Sequence, residues 1–359
     1  MTVTRCVKCN STLNVEYETS EPRFINTQIT KSYDLNVNLP IHHMESLVSL
    51  GEGRTPCIKL NGIGEMLGIH NLHAKMELLN PTGSFKDRGA SIMLSVAKEH
   101  NVTEIVEDSS GNAGAAIAAY AAKAGIKAHI FVPSNTSNSK IEQIKIYDAC
   151  IHQIEGNREL SEIKAIEHCS KNNLIYASHN LSPYFLEGTK IFAYETVYDF
   201  PTELPNHIIL PVGNGSLLIG IWKGFQEMIQ SNIISKAPRI HCIQAKTIMP
   251  ITASYNSLNW TPNKKASTIA SGISISTPAR KHQILEILQQ SRGTSIAVTD
   301  LNIRKWHKLL ATSEGIYAEP TSTVAFAGLE QLLENGTIKC SDKVLIPVTG
   351  SGLKTGSIP

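Results

Sequence analysis

The chain has 359 residues, of which 42% are hydrophobic and 18% charged, against roughly 25% charged in an ordinary soluble chain. That is enough apolar material for a sizeable core and enough length for two domains. The 33 Lys and Arg balance 31 Asp and Glu to a net charge of +2, which argues against a nucleic-acid binder, an acidic tail or a disordered majority.

No apolar run approaches the about 20 residues that span a bilayer, and the opening MTVTRCVKCN lacks a signal-peptide core. The seven cysteines are odd in number and mostly scattered, which reads as free thiols and a cytoplasmic protein. From residue 51 the polar loop GEGRTP precedes a short strand and helix in IKLNGIGEMLGI, and His73–Glu77 reads as a strand. LLNPTGSFKDRGA is a turn entering a helix that runs to about His100.

An alternating pattern follows. Strand Thr103–Glu107, loop Asp108–Gly111 and helix Asn112–Ala124 are succeeded by strand Lys127–Val132 and helix Ser139–Asp148. Strand Ile151–Ile154, helix Arg158–Cys169 and strand Leu174–Ala177 complete a stretch that predicts parallel βαβ units in a four-stranded domain. After a helix over Pro183–Tyr198, the run HIILP at 207–211 suits a strand buried on both faces. The loop VGNGS, a helix through Gln230 and strand Arg239–Gln244 come next. Residues 245–295 read as a long connection, followed by strand Thr294–Val298, helices over 300–312 and 321–335, and strand Lys343–Val348. Thr321 is placed to cap the second of these helices.

Three polar, glycine-bearing turns fall at strand ends, where open α/β sheets hold ligands. They are Ser109-Ser110-Gly111-Asn112-Ala113-Gly114, Gly213-Asn214-Gly215-Ser216 and Thr349-Gly350-Ser351-Gly352. Glycines let such turns aim several N–H groups at an anion, and a helix N-terminus adds about half a positive charge. None matches the GxxxxGK[ST] or GxGxxG pattern, so ATP and dinucleotides are weak readings. Lys86 lies in PTGSFKDRG, with Ser84 as expected helix cap and Asp87 as a capping-box acid. A lysine in the first turn is electrostatically misplaced, which lowers its pKa toward the neutral amine that Schiff-base chemistry needs. The bland reading is a solvated lysine balanced by Asp87.

Taken together, NPTGSFKDRG, SSGNAGAAIAAYAAKAG, PYFLEGTKIFAYE, PVGNGS and TGSGLK resemble the pyridoxal-phosphate (PLP) enzymes of the tryptophan-synthase β-like class, fold type II. Within that class the nearest branch resembles the threonine synthases. The resemblance runs from about Leu50 to Lys354 with the motifs in order. It implies an α/β fold of two open twisted parallel-sheet domains with the cofactor in the cleft: a large domain from 1–88 and 191–359, with 1–40 an N-terminal extension, and a small mobile domain from 89–190.

It also implies site roles. Lys86 forms the aldimine with pyridoxal 5'-phosphate and acts as base at Cα. Gly213, Asn214, Gly215, Ser216 and Leu217 hold the cofactor phosphate, Asn112 meets the ring hydroxyl and Thr349 the pyridine nitrogen. Ser109, Ser110 and Gly111 receive the substrate α-carboxylate. The implied activity is a PLP-dependent lyase converting O-phospho-L-homoserine and water to L-threonine and phosphate through aldimine and quinonoid chemistry, with a small amino acid as the only partner required. Relatives of this kind are commonly homodimers, although no sequence feature marks an interface.

One departure bears on the substrate. Threonine synthases commonly carry a phosphate-gripping arginine immediately before the LEG of this motif, and here that position is Phe185; a helping asparagine falls at His179. Lys59, Arg88 and His179 are the cations available to compensate. The alternatives are therefore a serine or threonine dehydratase, a β-replacement enzyme on serine or O-phosphoserine, and, from another class, a non-catalytic α/β binding protein that kept the fold. Cys6 and Cys9 form one CxxC, half of what a structural zinc site needs. His42 and His43 read as a surface pair, so no metal is assigned. Glu319-Pro320-Thr321-Ser322 resembles a family segment near the cofactor.

Overall fold

A computed structural model describes residues 4–18, 38–136, 138–156, 158–263 and 266–354. The chain opens its regular structure with β1 (Cys57–Lys59), α1 (Asn61–Leu67) and β2 (Asn71–Lys75). Then come α2 (Lys86–Glu99), β3 (Glu104–Glu107), α3 (Asn112–Ala124), β4 (Lys127–Pro133), α4 (Asn138–Lys145), β5 (Cys150–Ile154), α5 (Arg158–Asn172) and β6 (Ile175–Tyr176). Helices α6 (Pro183–Thr189) and α7 (Ile191–Asp199) lead to β7 (His207–Pro211), α8 (Ser216–Gln230) and β8 (Arg239–Ala245). The chain continues through α9 (Pro250–Tyr255), α10 (Lys281–Gln290), β9 (Ser295–Val298), α11 (Asp300–Glu314), α12 (Pro320–Glu334) and β10 (Lys343–Pro347).

Contacts divide these elements into two units, one of residues up to Gly53 with Asn80–Ile191, the other of Arg54–Leu79 with Phe192 onward. The chain passes from one unit to the other between Ile191 and Phe192. The sequence division, however, gave 1–88 wholly to the larger domain. In the structure the segment before Gly53 and the turn 80–88 pack with the smaller sheet: Val48 donates its N–H to Ser95 of α2 at 2.8 Å, and Glu99 accepts from the N–H groups of His42 and His43.

The smaller unit holds a four-stranded parallel sheet in the order β5-β4-β3-β6. On it lies α3, an alanine-rich helix with high intrinsic propensity, ended by Gly125 in the left-handed region at φ 70°. Its small side chains allow close packing on α2, and the two bury Ala90, Met93, Leu94, Ile117 and Tyr120 in one core with β3 and β4. The other face of the sheet meets α5 through Val106, Phe131, Ala165 and Cys169.

The larger unit holds six strands in the order β1-β2-β10-β7-β8-β9. All pairs are parallel except β1–β2 at the edge. The connection between them contains only the short α1, whereas a parallel crossover needs a dozen or more residues. The last strand, β10, lies in the middle between β2 and β7, which explains the apolar VLIP run. Trp306, Phe326, Ile303 and Leu310 anchor the core where α11 meets α12. The expected helix over Pro183–Tyr198 is two helices meeting at Lys190, and the connection 245–295 contains α9 and α10. Among the described residues no helix is long and apolar enough to cross a membrane.

Candidate active site

In the smaller unit, α2 begins at Lys86, which is half-buried. Its Nζ lies 4.8 Å from the centroid of the Phe85 ring and 5.4 Å from that of Phe185. Among the described residues two lysines are fully buried, and both are committed to carboxylates. Lys75 Nζ is 2.9 Å from Glu195 and 2.7 Å from Asp199, and Lys190 Nζ is 2.6 Å from Glu187. Of these three, Lys86 alone combines a helix N-terminus with aromatic neighbours and partial access.

The turn before Lys86 is set by Asp87, which accepts the Thr82 N–H at 2.6 Å and the Thr82 hydroxyl. The expected cap at Ser84 is not made. The N-cap is Phe85, in helical geometry, and Asp87 is taken by Thr82. Ser84 Oγ is instead buried with no hydrogen-bond partner among the described residues. A buried hydroxyl in that state, two residues from the lysine, is a group that a bound ligand satisfies.

Strand β3 delivers the loop Asp108–Gly111 to the start of α3. Ser109 is buried, while Ser110, Gly111 and Asn112 are half-buried, and the Gly111 N–H donates to Ser109 Oγ at 3.3 Å. The loop lies tight against the helix: a Cβ on Gly114 would stand 1.9 Å from the Ser109 carbonyl oxygen. Glycine here is a condition of the close approach.

Behind this loop lies a pair the sequence reading only half identified. His179 Nδ1 is 2.7 Å from Glu107 Oε1, and the His179 N–H donates to Glu107 Oε2 at 3.1 Å, both side chains being buried. Burial pushes the Glu107 carboxyl up to about 7. Burial, then the nearby charge of Lys86, holds the His179 imidazole well below its ordinary value. Burial thus disfavours the charged form of both groups, and the hydrogen bond between them satisfies each. The available signal for Glu107 was an acid at the loop end of β3, directly after the apolar pair Ile105-Val106.

In the larger unit, β7 ends in the turn 213–216. Gly213, Gly215, Ser216 and Leu217 are buried and Asn214 half-buried. Gly215, the N-cap of α8, takes φ 81°, and no side chain caps the helix. A Cβ on Gly213 would meet Ile273 Cα at 3.0 Å and one on Gly215 would meet Ile284 Cδ1 at 2.4 Å. A glycine turn leading into an uncapped helix N-terminus fits a phosphate, whose charge the amides and dipole favour.

Thr349, buried at the end of β10, has its hydroxyl 2.9 Å from Ser322 Oγ, which also accepts the Gly350 N–H at 2.9 Å. Ser322 is thus a supporting residue that the sequence left only within a family-like segment. Thr321 does not cap α12: the N-cap is Glu319 with Pro320 first in the helix, and Thr321 Oγ1 accepts the Gly272 N–H at 3.1 Å. Cys6 and Cys9 lie in a tight turn where Cys9 Sγ approaches Ser11 Oγ at 3.4 Å; among the described residues no third ligand joins them.

Each unit, taken by itself, thus carries groups of the kinds that PLP chemistry uses: a lysine at a helix N-terminus and an amide side chain in the smaller, a glycine turn before a helix and a buried threonine hydroxyl in the larger. A family model described as pyridoxal-phosphate dependent enzyme matches residues 48–350. A threonine synthase of Methanocaldococcus jannaschii is 34% identical over 98% of this chain and 92% of its own length. One from Bacillus sp. (strain ULM1) is 36% identical over 89% and 88%. Among solved structures, a fungal L-serine ammonia-lyase from Rhizomucor miehei superposes with a TM-score of 0.74 at 23% identity, covering 83% of this chain and 94% of that one. Maize serine racemase gives 0.71 at 24% identity over 84% and 88%. The match spans most of the chain, and the chain belongs to the pyridoxal-phosphate dependent enzyme family.

Proposed function

We propose that this PLP-dependent lyase acts as a threonine synthase, converting O-phospho-L-homoserine and water to L-threonine and phosphate. The observation that carries the reading is the similarity to curated threonine synthases along nearly the whole chain. When bound, PLP supplies an electron sink for charge that develops at the substrate's Cα.

The chain's own residues would then divide the work. Lys86 carries the cofactor between turnovers and moves the proton at Cα. The N–H groups of Ser109, Ser110 and Gly111 orient the α-carboxylate at the start of α3. Asn112 meets the cofactor's ring hydroxyl, and the turn 213–217 holds its phosphate. Thr349, steadied by Ser322, faces the ring nitrogen as a neutral partner. The atoms balance as follows: the Cγ–O bond breaks with its electron pair going to phosphate, and the oxygen of water bonds to Cβ. Protons leave Cα, Cβ and water, and are returned to Cα, Cγ and phosphate.

One observation favours a second reading, a serine or threonine dehydratase. Phe185, where the threonine-synthase resemblance puts a phosphate-gripping arginine, is fully buried in the core of the smaller unit. Its ring lies where a Cβ on Gly89 would be, at 2.4 Å, and it offers neither charge nor hydrogen bonds.

The test is parallel incubation of PLP-loaded protein with O-phospho-L-homoserine, L-threonine, L-serine and O-phospho-L-serine, measuring phosphate and 2-oxo acid separately. Phosphate and threonine from the first substrate, without 2-oxo acid, are expected. Release of 2-oxo acid from serine or threonine alone would transfer the assignment to the dehydratase.

A further inference from the structure

Away from these loops, on the α5 face of the smaller sheet, three imidazoles converge. His129 comes from β4, His152 from β5 and His168 from the last turn and a half of α5. The register explains the first two. Phe131 pairs with His152 across the parallel ladder, and His129 precedes Phe131 by two residues, so all three side chains share a face. Because α5 runs back along that face, its C-terminal part brings His168 to the same end of the strands. One ring nitrogen from each histidine lies within 4.8 Å of the others, and the ring centroids stand 5.1 to 5.3 Å apart.

We propose that His129, His152 and His168 bind a zinc-class divalent transition-metal ion, with Glu104 as the positioning carboxylate behind His129. Imidazole nitrogens are favoured ligands for this group of metals, and three of them with water make a common tetrahedral set.

Hydrogen bonding defines the first ligand atom. His129 Nε2 lies 2.8 Å from Glu104 Oε2, so the neutral ring donates there and turns the Nδ1 lone pair toward the cluster. That is the carboxylate–histidine arrangement found behind metal ligands. His129 Nδ1 is already 3.1 Å from His152 Nε2. Two nitrogens bound at about 2.0–2.1 Å to a tetrahedral ion stand about 3.3 Å apart, so these two need little adjustment. The ring of His152 is stacked on Phe131 at 4.3 Å with planes 10° apart, which limits its rotation.

Access to the cluster is open. Opposing charges are Lys127, 3.5 Å from Glu104, and Lys171, which bears on His168. His129 is only 7% exposed, while His152 and His168 are half-buried, so an ion has a route in from solvent. Bound there, it would tie two strands to a helix and stabilise the unit by mass action.

The experiment uses tag-free PLP-loaded protein carrying Cys6→Ser and Cys9→Ser, which removes the CxxC thiols as competing ligands. Cobalt(II) and zinc(II) are titrated separately, cobalt followed by its visible d–d absorbance and zinc by calorimetry. One ion per chain is expected, with zinc displacing cobalt and raising Tm. His168→Ala should lose saturable binding, and Glu104→Gln should weaken it about 10- to 100-fold. Both variants lie outside the cofactor and substrate residues, so retained cofactor absorbance and turnover certify that they fold. Absence of one-to-one binding in the parent, or unchanged affinity in both folded variants, would overturn the proposal.

Discussion

Replacing Gly114 by alanine sets two physical effects against each other. Alanine is the better helix former by about 1 kcal/mol, so propensity alone predicts a more stable α3. The structure predicts the reverse. The added Cβ would stand 1.9 Å from the Ser109 carbonyl oxygen and 3.3 Å from Ile144 Cδ1. Since Cβ contacts below 3.0 Å are essentially never seen, the Ser109 carbonyl must retreat by at least about 1.1 Å (3.0 − 1.9). Overpacking of that kind costs about 1–3 kcal/mol, which exceeds the propensity gain over most of its range. The displaced atoms belong to the loop assigned to the substrate α-carboxylate, and a misplacement of about 1 Å can cost about 100-fold in rate. The expectation is a variant that keeps its cofactor band, loses up to about 2 kcal/mol in urea denaturation, and falls about 100-fold in kcat/KM. A variant more stable than the parent with unchanged kcat/KM would refute the reasoning.

Glu107→Gln tests the buried pair. A carboxyl raised from 4.5 to about 7 keeps an extra proton in the folded state. Its contribution to stability is therefore full below pH 4.5 and is lost as pH rises through about 7, by up to about 3 kcal/mol. His179, lowered by burial, acts oppositely: its contribution is present above pH 6.5 and fades as pH falls. The glutamine variant should lose the decline between pH 4.5 and 7 in urea titrations, and an unchanged pH profile would count against the assignment. Tyr17→Phe removes a 2.7 Å hydrogen bond to the buried Glu187 carboxylate and should cost about 1.5 kcal/mol, read from the denaturation midpoint. Ser322→Ala leaves the buried Gly350 N–H without its acceptor. It should cost about 1–3 kcal/mol and shift the visible spectrum of the bound cofactor, because Thr349 loses its support; an unmoved spectrum would separate Thr349 from the cofactor ring.

What could be read in advance followed local signals. The β3–α3 unit was legible because an apolar run, a glycine turn and an alanine-rich helix each point to one structure. HIILP likewise announced a strand buried on both faces. The connection 245–295 hid two helices: α10 carries Ile284, Ile287 and Leu288 at helical spacing, but the Ser, Thr and Asn around it masked the period. The antiparallel β1 follows from the short connection through α1, too brief for a parallel crossover.

Partners distant in sequence were invisible. Tyr17 reaches Glu187 and Glu107 reaches His179, and nothing near Glu104 or His129 foretells that His152 and His168 join them. Ser84 illustrates the opposite error. It looked like a cap by position, but Phe85 took the N-cap and Thr82 took Asp87, leaving a hydroxyl for another partner.

The central claim is that one amine carries the cofactor, and it can be read directly. PLP-loaded enzyme is reduced with borohydride, digested and mapped by mass spectrometry. The account predicts the pyridoxyl group on Lys86, since Lys75 and Lys190 are held by buried carboxylates. A label on either of those, or on any lysine other than Lys86, would contradict it.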